Sequence, residues 1–307
     1  MIENNQEVIA DGPTPIFQKA VGFVVETRRL GNRRKVNTAQ IGTDADRTMI
    51  HVSKSILDSK ELKRVEQLDG ELRRYLADRC LPSNFKSGVY LLPIALVEEV
   101  DAEFTRMKEV REEAVDGFLA VYEQQRDEAE QRLGSLFSAD DYPSADNVRA
   151  SFGLESSYVT FDTPASLKAI KADIFARERE KADAKWKDAL EECRKLLRAT
   201  MAELVGHIQE RLTPDENGKQ KSFHASMLDK LDTFMTTFAA RNIADDAELT
   251  GLVKEAKLVM SGVDAKTLRK EESIRDAFKE QVGGLKAKLD AMVIDRPARA
   301  FATGTEE

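Results

Sequence analysis

Several residue types that characterise common protein classes are scarce in this chain of 307 residues. It has two cysteines, too few for the disulfide framework of a small secreted protein or for a cysteine-ligated metal cluster. Glycine (16) and proline (8) are few, and aromatic residues make up only 7% of the chain, which is typical of long, solvent-exposed helices. No apolar run approaches the ~20 residues needed to cross a bilayer. The sequence therefore argues against a disulfide scaffold and against a membrane-spanning protein.

The N-terminus and the cysteine content both favour a cytoplasmic location. Residues 1–11 are polar and acidic, and they lack the basic start and apolar core of a signal peptide. A small number of cysteines without a pairing pattern is usual in a reducing compartment. We therefore expect a cytoplasmic protein.

Charge is distributed unevenly along the chain. Residues 1–92 contain 15 Lys/Arg and 12 Asp/Glu, whereas residues 93–307 contain 32 and 43. Residues 93–142 alone contain 14 acids and 5 bases. An acidic segment of this density favours basic partners and repels nucleic acid. Within the first part, five bases lie in eight residues without an acid, namely Arg28, Arg29, Arg33, Arg34 and Lys35.

Residues 16–93 show the pattern of a small α+β unit, preceded by a leader over residues 1–15 that we expect to be disordered. Alternating apolar residues predict strands over residues 20–27 and 48–56, and a short apolar run predicts a strand over residues 89–92.

A helix is predicted between these strands. Asp58 offers an N-cap with Glu61 three residues later, and apolar residues follow at helical spacing as far as Cys80. Pro82 ends the pattern. The strands and this helix together predict a small sheet with one helix across it.

Helical periodicity dominates after residue 93. Apolar residues three and four apart predict one long helix up to Gly134 and a second from Pro164 to Leu212. An insertion over residues 134–163 separates them, with a short helix from Ser144 to Phe152 and a loop over residues 153–163. Because each long helix has one stripe to bury, we expect an antiparallel hairpin over residues 94–212, although stripes on two chains could pair equally well.

The C-terminal region, residues 213–294, is predicted to contain three shorter helices over residues 222–240, 246–261 and 271–293, followed by a disordered tail over residues 295–307. The expected fold is therefore mainly α with a small N-terminal α+β unit, an elongated helical hairpin or coiled-coil body, and a helical C-terminal region.

The sequence contains no recognisable catalytic constellation. His51, His207 and His224 do not stand at metal-ligand spacing, and no Gly-rich phosphate loop occurs. Cys80 and Cys193 fall on apolar helical stripes, which predicts buried residues. We therefore expect no catalytic residue, no metal and no cofactor.

Two short features leave alternatives open. The alternate carboxylates Asp44 and Asp46 have the geometry to hold a divalent cation, although such pairs are also common in turns. The basic cluster could form a hairpin tip that binds nucleic acid through Arg28, Arg29, Arg33, Arg34 and Lys35. Alternatively, its charges are solvated or are neutralised by the acidic segment after Pro93. Few aromatic residues accompany the cluster, so a stacking surface for single strands is missing.

The succession of several segments resembles an uncharacterised family of bacteriophage and bacterial proteins, domain of unknown function 3150. The segments are residues 26–30, the helix over residues 58–80, residues 88–93, residues 118–122 in the long helix, and the Tyr142-Pro143 turn. The resemblance covers about residues 16–290 and extends to no catalytic residues.

Members of this family are often encoded beside a MoxR-type AAA+ ATPase and a von Willebrand factor A-domain protein. The resemblance implies that these two proteins are partners of the chain, in the host cytoplasm if a phage encodes it. We therefore expect a non-enzymatic adaptor or assembly component, with nucleic-acid binding through the basic cluster as the alternative. The sequence leaves the oligomeric state open.

Overall fold

The computed structural model describes residues 19–82, 88–160 and 171–293. The fold of this part is mainly α with a small α+β region, which confirms the predicted fold class. The predicted leader over residues 1–15, the tail over residues 295–307 and the start of the second long helix at Pro164 lie outside the described residues. None of the helices within the described ranges is both long and apolar enough to cross a membrane.

Eight α-helices and six β-strands occur in the described part of the chain. The strands are β1 (Ala20–Arg28), β2 (Arg33–Lys35), β3 (Ser53–Ser55), β4 (Leu81–Pro82), β5 (Val89–Pro93) and β6 (Gly153–Val159). The helices are α1 (Lys60–Arg79), α2 (Val97–Leu133), α3 (Ala145–Ser151), α4 (Ala172–Leu212), α5 (Ala225–Arg241), α6 (Ala247–Met260), α7 (Ala265–Lys270) and α8 (Glu272–Met292).

The strands form two sheets. One has four strands in the order β4-β5-β1-β6, and the other is the antiparallel pair β2-β3. The prediction of a loop over residues 153–163 is therefore wrong for β6, whose side chains show no clear alternation because Ser157 and Tyr158 are both exposed. Its place in the sheet comes from pairing with a strand far away in sequence.

The second predicted strand, over residues 48–56, is only partly correct. The structure forms β3 at its end, but a 3₁₀ turn occupies Arg47–Met49. The carboxylate of Asp46 accepts hydrogen bonds from the backbone N–H of Thr48 at 2.9 Å and from its hydroxyl at 2.8 Å. Such side-chain bonds to the local backbone favour a turn over an extended strand.

The chain folds into two compact units. Unit 1 comprises Met1–Phe23, Ala77–Val97 and Tyr158–Glu307, and unit 2 comprises Val24–Leu76 and Glu98–Ser157. The two long helices fall in different units, α2 in unit 2 and α4 in unit 1. The observed units thus differ from the predicted division into residues 16–93, 94–212 and 213–294, because the apolar stripe of α4 is buried by helices of its own unit.

Helix α4 is the centre of unit 1. It packs against α5 and α8, and these two helices bury the stripe that the sequence predicted from Trp186 onward. The charged residues before Trp186 are mostly exposed, as their weak pattern suggested. Cys193 lies on this stripe and is buried, as predicted. The buried side chains from Trp186 onward are Trp186, Ala189, Cys193, Leu196, Leu197, Met201, Val205, Ile208 and Leu212.

Helix α2 supplies the corresponding stripe in unit 2. From Val100 to Tyr122 its buried positions step by three and four residues, which confirms the predicted periodicity. One of them is a charged residue, Arg111, whose guanidinium Nε lies 2.6 Å from the carboxylate of Asp69 on α1. The full set of buried residues on α2 is Val100, Phe104, Met107, Arg111, Val115, Phe118, Tyr122 and Ala129.

The start of α1 differs from the prediction. Ser59, rather than Asp58, is the capping residue, since its hydroxyl accepts hydrogen bonds from the backbone N–H groups of Glu61 at 3.2 Å and Leu62 at 3.3 Å. Asp58 instead pairs with Lys63 at 2.6 Å. Serine and aspartate are about equally good N-caps, so the sequence alone does not decide between two adjacent candidates.

The start of α6 shows a cap that is also a buried ion pair. Asp246 is 4% exposed, and its carboxylate accepts a hydrogen bond from the backbone N–H of Leu249 at 3.0 Å. Arg198 of α4 donates to both oxygens, at 2.6 and 3.0 Å. Burial opposes ionisation of Asp246, but the bonds from Arg198 and Leu249 outweigh it and lower the pKa of the carboxyl.

We expect Asp246→Asn to lower the free energy of unfolding by about 1–3 kcal/mol at neutral pH, since the Arg198 guanidinium loses its buried counter-charge and keeps only the exposed Glu248. The lowered pKa means that the ionised carboxylate stabilises the fold above its ordinary pKa of about 3.9, and this contribution is lost as the pH falls through the lowered value. Denaturant titrations should show the difference between wild type and variant shrinking below about pH 4. Asp232→Asn, at an exposed position of α5, is the control, and an equal loss in both variants would contradict the assignment.

Candidate functional site

Strands β2 and β3 form a two-stranded antiparallel ribbon in unit 2. The backbone N–H of Val36 donates to the carbonyl oxygen of Val52 at 2.9 Å and extends the pairing beyond the two strands. We call residues 33–37 and 51–55 the basic ribbon. Successive side chains in a strand point to opposite faces, so the ribbon has an inner and an outer face. The cross-strand pairs are Arg33 with Ser55, Arg34 with Lys54, and Lys35 with Ser53.

The inner face is held by one carboxylate. Lys54 Nζ lies 2.6 Å from Asp141 Oδ2, and Arg34 Nε lies 3.6 Å from Asp141 Oδ1. Lys54 also donates to the backbone carbonyl of Leu136, and its side chain is only 10% exposed. Since Asp141 belongs to the acidic segment after Pro93, the structure favours neutralisation as the role of Arg34.

The base of the ribbon is fixed by backbone and amide contacts. Asn32 accepts from the N–H of Leu57 at 2.8 Å and donates to its carbonyl at 2.9 Å. The N–H of Ile56 donates to the carbonyl of Asn32 at 3.0 Å, and the hydroxyl of Tyr142 donates to the carbonyl of Ile56 at 2.8 Å. These bonds determine which face of the ribbon points inward.

Two further bases of the predicted cluster lie before the ribbon. Arg28 Nη2 lies 3.0 Å from the carboxylate of Glu155 on β6, and Arg29 Nε lies 3.5 Å from Asp69 Oδ2. The structure therefore does not bring all five predicted residues to one surface. Arg28, Arg29 and Arg34 each have a carboxylate partner within unit 2.

The outer face is different in character. Arg33 and Lys35 are exposed, and their side chains form no ion pair with any residue in the described part of the chain. The composition of the sequence identified these two cations but not the polar neighbours that share their face. All outer-face side chains are exposed and polar, and none is acidic: Arg33, Lys35, Asn37, His51, Ser53 and Ser55.

A cavity of about 390 Å³ lies at one end of the ribbon, next to Ser55 and Asn32. At its rim, Asp58 pairs with Lys63 at 2.6 Å and with Arg132 at 3.2 Å. Hydrogen bonds from Lys63 and Arg132 lower the pKa of the Asp58 carboxyl. Lys63 and Arg132 therefore share one counter-charge, whereas Arg33 and Lys35 form no ion pair with a described residue.

Unit 2 also has an acidic surface on α2. We call Glu109, Glu112 and Glu113 the acidic stripe, because residues three and four apart lie on one side of a helix. All three are exposed and form no ion pair with a residue in the described ranges. The negative charge that the sequence predicted for this segment is therefore exposed on the surface of α2.

Four further sequence candidates are buried or hydrogen-bonded within the chain, namely Cys80, Cys193, Asp46 and His224. Burial raises the pKa of Cys80 and Cys193 to about 12, which keeps both thiols protonated and confirms that they are core residues. Asp46 Oδ1 accepts hydrogen bonds from the backbone N–H and the hydroxyl of Thr48, and His224 shares a hydrogen bond of 2.9 Å with Ser222. Groups of three or more potential metal ligands do not occur among the described residues.

Comparison of the chain with models of protein families, with curated proteins and with solved structures gave no match. The function must therefore be inferred from the two charged surfaces of unit 2. These are the outer face of the basic ribbon and the acidic stripe of α2.

We expect Asp141→Asn to loosen the ribbon, because Lys54 and Arg34 lose their shared counter-charge. Hydrogen exchange at the N–H groups of Val36 and Ile56 should accelerate by about tenfold for each 1.4 kcal/mol lost from local stability. Asp140→Asn changes the neighbouring, exposed carboxylate and serves as the control. Equal exchange rates in wild type and Asp141→Asn would mean that the carboxylate does not hold the inner face.

Proposed function

We propose that this chain is a non-enzymatic adaptor or assembly component of a bacteriophage or bacterial module in the cytoplasm. Its partners in this proposal are a MoxR-type AAA+ ATPase and a von Willebrand factor A-domain protein. The resemblance of residues 16–290 supports the identity of the partners. The acidic stripe of α2 is the structural observation that supports a docking role.

A docking role suits the acidic stripe for physical reasons. Glu109, Glu112 and Glu113 lie on a helix of 37 residues whose opposite side is buried in unit 2, so their positions are fixed relative to one another. Fixed charges of one sign attract a basic surface over several ångströms and orient its approach. Exposed ion pairs contribute little affinity individually, so the stripe would act mainly on the association rate and on the register of the complex.

Reversing the stripe charges in a Glu109→Lys, Glu112→Lys, Glu113→Lys variant should slow association with the ATPase or the A-domain protein by about tenfold at low salt. The dissociation rate should change less, since the changed charges lie on an exposed surface. Surface plasmon resonance with each purified partner measures both rates.

The matched control is Asp276→Lys with Glu280→Lys, two exposed acids on α8 in unit 1. Folding of all variants is checked by thermal unfolding. If wild type binds neither partner, or if the stripe variant and the control associate at the same rate, the proposed docking role of the stripe is wrong.

A second candidate function, nucleic-acid binding, is favoured by the exposure of Arg33 and Lys35. Cations without an intramolecular counter-ion can displace the counter-ions condensed on a phosphate backbone, which is the dominant source of nucleic-acid affinity. Arg28, Arg29 and Arg34 each lie within 4 Å of a carboxylate, which reduces the expected number of phosphate contacts. We therefore assign this function to Arg33 and Lys35 rather than to the whole cluster.

The second candidate predicts salt-dependent binding to a labelled nucleic acid. Replacing Arg33 and Lys35 by alanine should weaken binding and reduce the slope of log affinity against log salt by about 0.9 for each phosphate that is no longer neutralised. Fluorescence anisotropy at several salt concentrations gives the slope. Arg73→Ala with Arg74→Ala removes two exposed cations from α1 of the same unit, and an equal effect there would refute the assignment to the ribbon.

A further inference from the structure

We propose that the outer face of the basic ribbon enters the major groove of duplex DNA and contacts base edges as well as phosphates. This inference rests on the second candidate function and adds to it the kind of nucleic acid, the groove and the residues that contact the bases. The observation that supports it is the character of the six outer-face side chains. All six are exposed and polar, and none is acidic.

The dimensions of the ribbon fit the groove. The two strands of the ribbon lie about 4.8 Å apart, which sets its width. Strands rise about 3.3 Å per residue, so the outer face over residues 33–37 is about 13 Å long in the direction of the strands. The major groove of B-DNA is about 12 Å wide and admits a two-stranded β-ribbon. The alternating side chains of each strand then point to the floor of the groove about 6.6 Å apart.

The chemistry of the outer face matches the edges of base pairs. Arginine and lysine donate to the O6 and N7 atoms of guanine, and serine can donate to or accept from either kind of base pair. Arg33 and Lys35 face Ser55 and Ser53 across the ribbon, so each cation has a hydroxyl beside it. Such a pair can combine a charged contact with a neutral one at the same base step.

Asn37 extends this face beyond the strand. Its side-chain oxygen accepts from the N–H of Ala39 at 3.0 Å, which fixes the orientation of the amide. The NH₂ group forms no hydrogen bond with a residue in the described part of the chain. It is therefore available as a donor to an acceptor on a base edge.

Contacts of the inner face hold the backbone of the ribbon in place. Asp141 holds Lys54 and Arg34, and the amide of Asn32 is bonded twice to the backbone of Leu57. A surface that is ordered before binding loses less conformational entropy when it enters the groove. This arrangement favours contact with a regular duplex over the wrapping of a single strand, for which aromatic stacking is the usual source of affinity.

The first experiment identifies the groove with the full-length chain. A labelled mixed-sequence duplex is competed with its separated strands, with methyl green as a major-groove ligand and with netropsin as a minor-groove ligand. We expect the unlabelled duplex to compete at least tenfold better than either strand, and methyl green but not netropsin to displace the protein. Equal competition by single strands, or displacement by netropsin alone, would overturn the proposal.

The second experiment tests contacts to bases separately from charge. The variant Asn37→Ala with Ser53→Ala removes neutral outer-face groups, and affinity is measured for a set of duplexes that differ by one base pair. We expect the spread of affinities across this set to narrow by about tenfold, because a single hydrogen-bonded base pair supplies about 1–3 kcal/mol of discrimination. The slope of log affinity against log salt should stay unchanged, because the variant removes no charge. The control is Asn147→Ala with Ser157→Ala, two exposed residues elsewhere in unit 2.

The outcomes separate this inference from both candidate functions. If the Asn37→Ala, Ser53→Ala variant shows the same spread of affinities as wild type, the proposed contact with bases is wrong. Salt-dependent binding through Arg33 and Lys35 would then still support the second candidate function. If the wild-type chain binds no nucleic acid, both the second candidate function and the proposed contact with the major groove are wrong. Association with the ATPase is measured for the same variants and should remain unchanged, because their substitutions lie outside the acidic stripe.

Discussion

The ion pair between Asp69 and Arg111 is the interaction on which the arrangement of unit 2 depends. Both side chains are less than 5% exposed, and Arg111 also donates from Nη2 to the carbonyl of Arg28 at 3.0 Å. One guanidinium therefore joins α1, α2 and the end of β1. Removal of Asp69 would leave the buried Arg111 guanidinium without its carboxylate partner, and leaving a buried charge uncompensated typically costs about 3–5 kcal/mol. Because Arg28 ends β1, this contact fixes the point from which the chain enters the basic ribbon.

The same principle of charge neutralisation divides the basic cluster. Asp69 pairs with Arg29 and Asp141 pairs with Arg34, whereas Arg33 and Lys35 are exposed and form no ion pair with a described residue. Pairing with acids, one of the two sequence interpretations, therefore applies to Arg28, Arg29 and Arg34, while nucleic-acid binding stays a prediction for Arg33 and Lys35. The neutralised residues orient the ribbon, and the outward residues give its surface a charge.

Sequence reasoning succeeded where structure is determined by local pattern. The stripes of α2 and α4 repeat every three or four residues, so these helices and their buried faces were predictable, including Cys193 in the core. Strand β6 was missed because its strand order depends on partners more than a hundred residues away. For the same reason, composition indicated Arg33 and Lys35, but only the cross-strand register places Ser53 and Ser55 beside them. The division into two units also depends on distant packing and was not visible in sequence.

The two charged surfaces of unit 2 have opposite signs, and this constrains how the proposed functions combine. The acidic stripe repels a phosphate backbone, whereas the outer face of the ribbon presents cations that attract it. A basic protein surface is repelled by Arg33 and Lys35 and attracted by Glu109, Glu112 and Glu113. The two kinds of partner therefore do not compete for one surface. Under the two proposals, a protein and a duplex would bind different surfaces of unit 2, so duplex binding would add to an adaptor role rather than replace it.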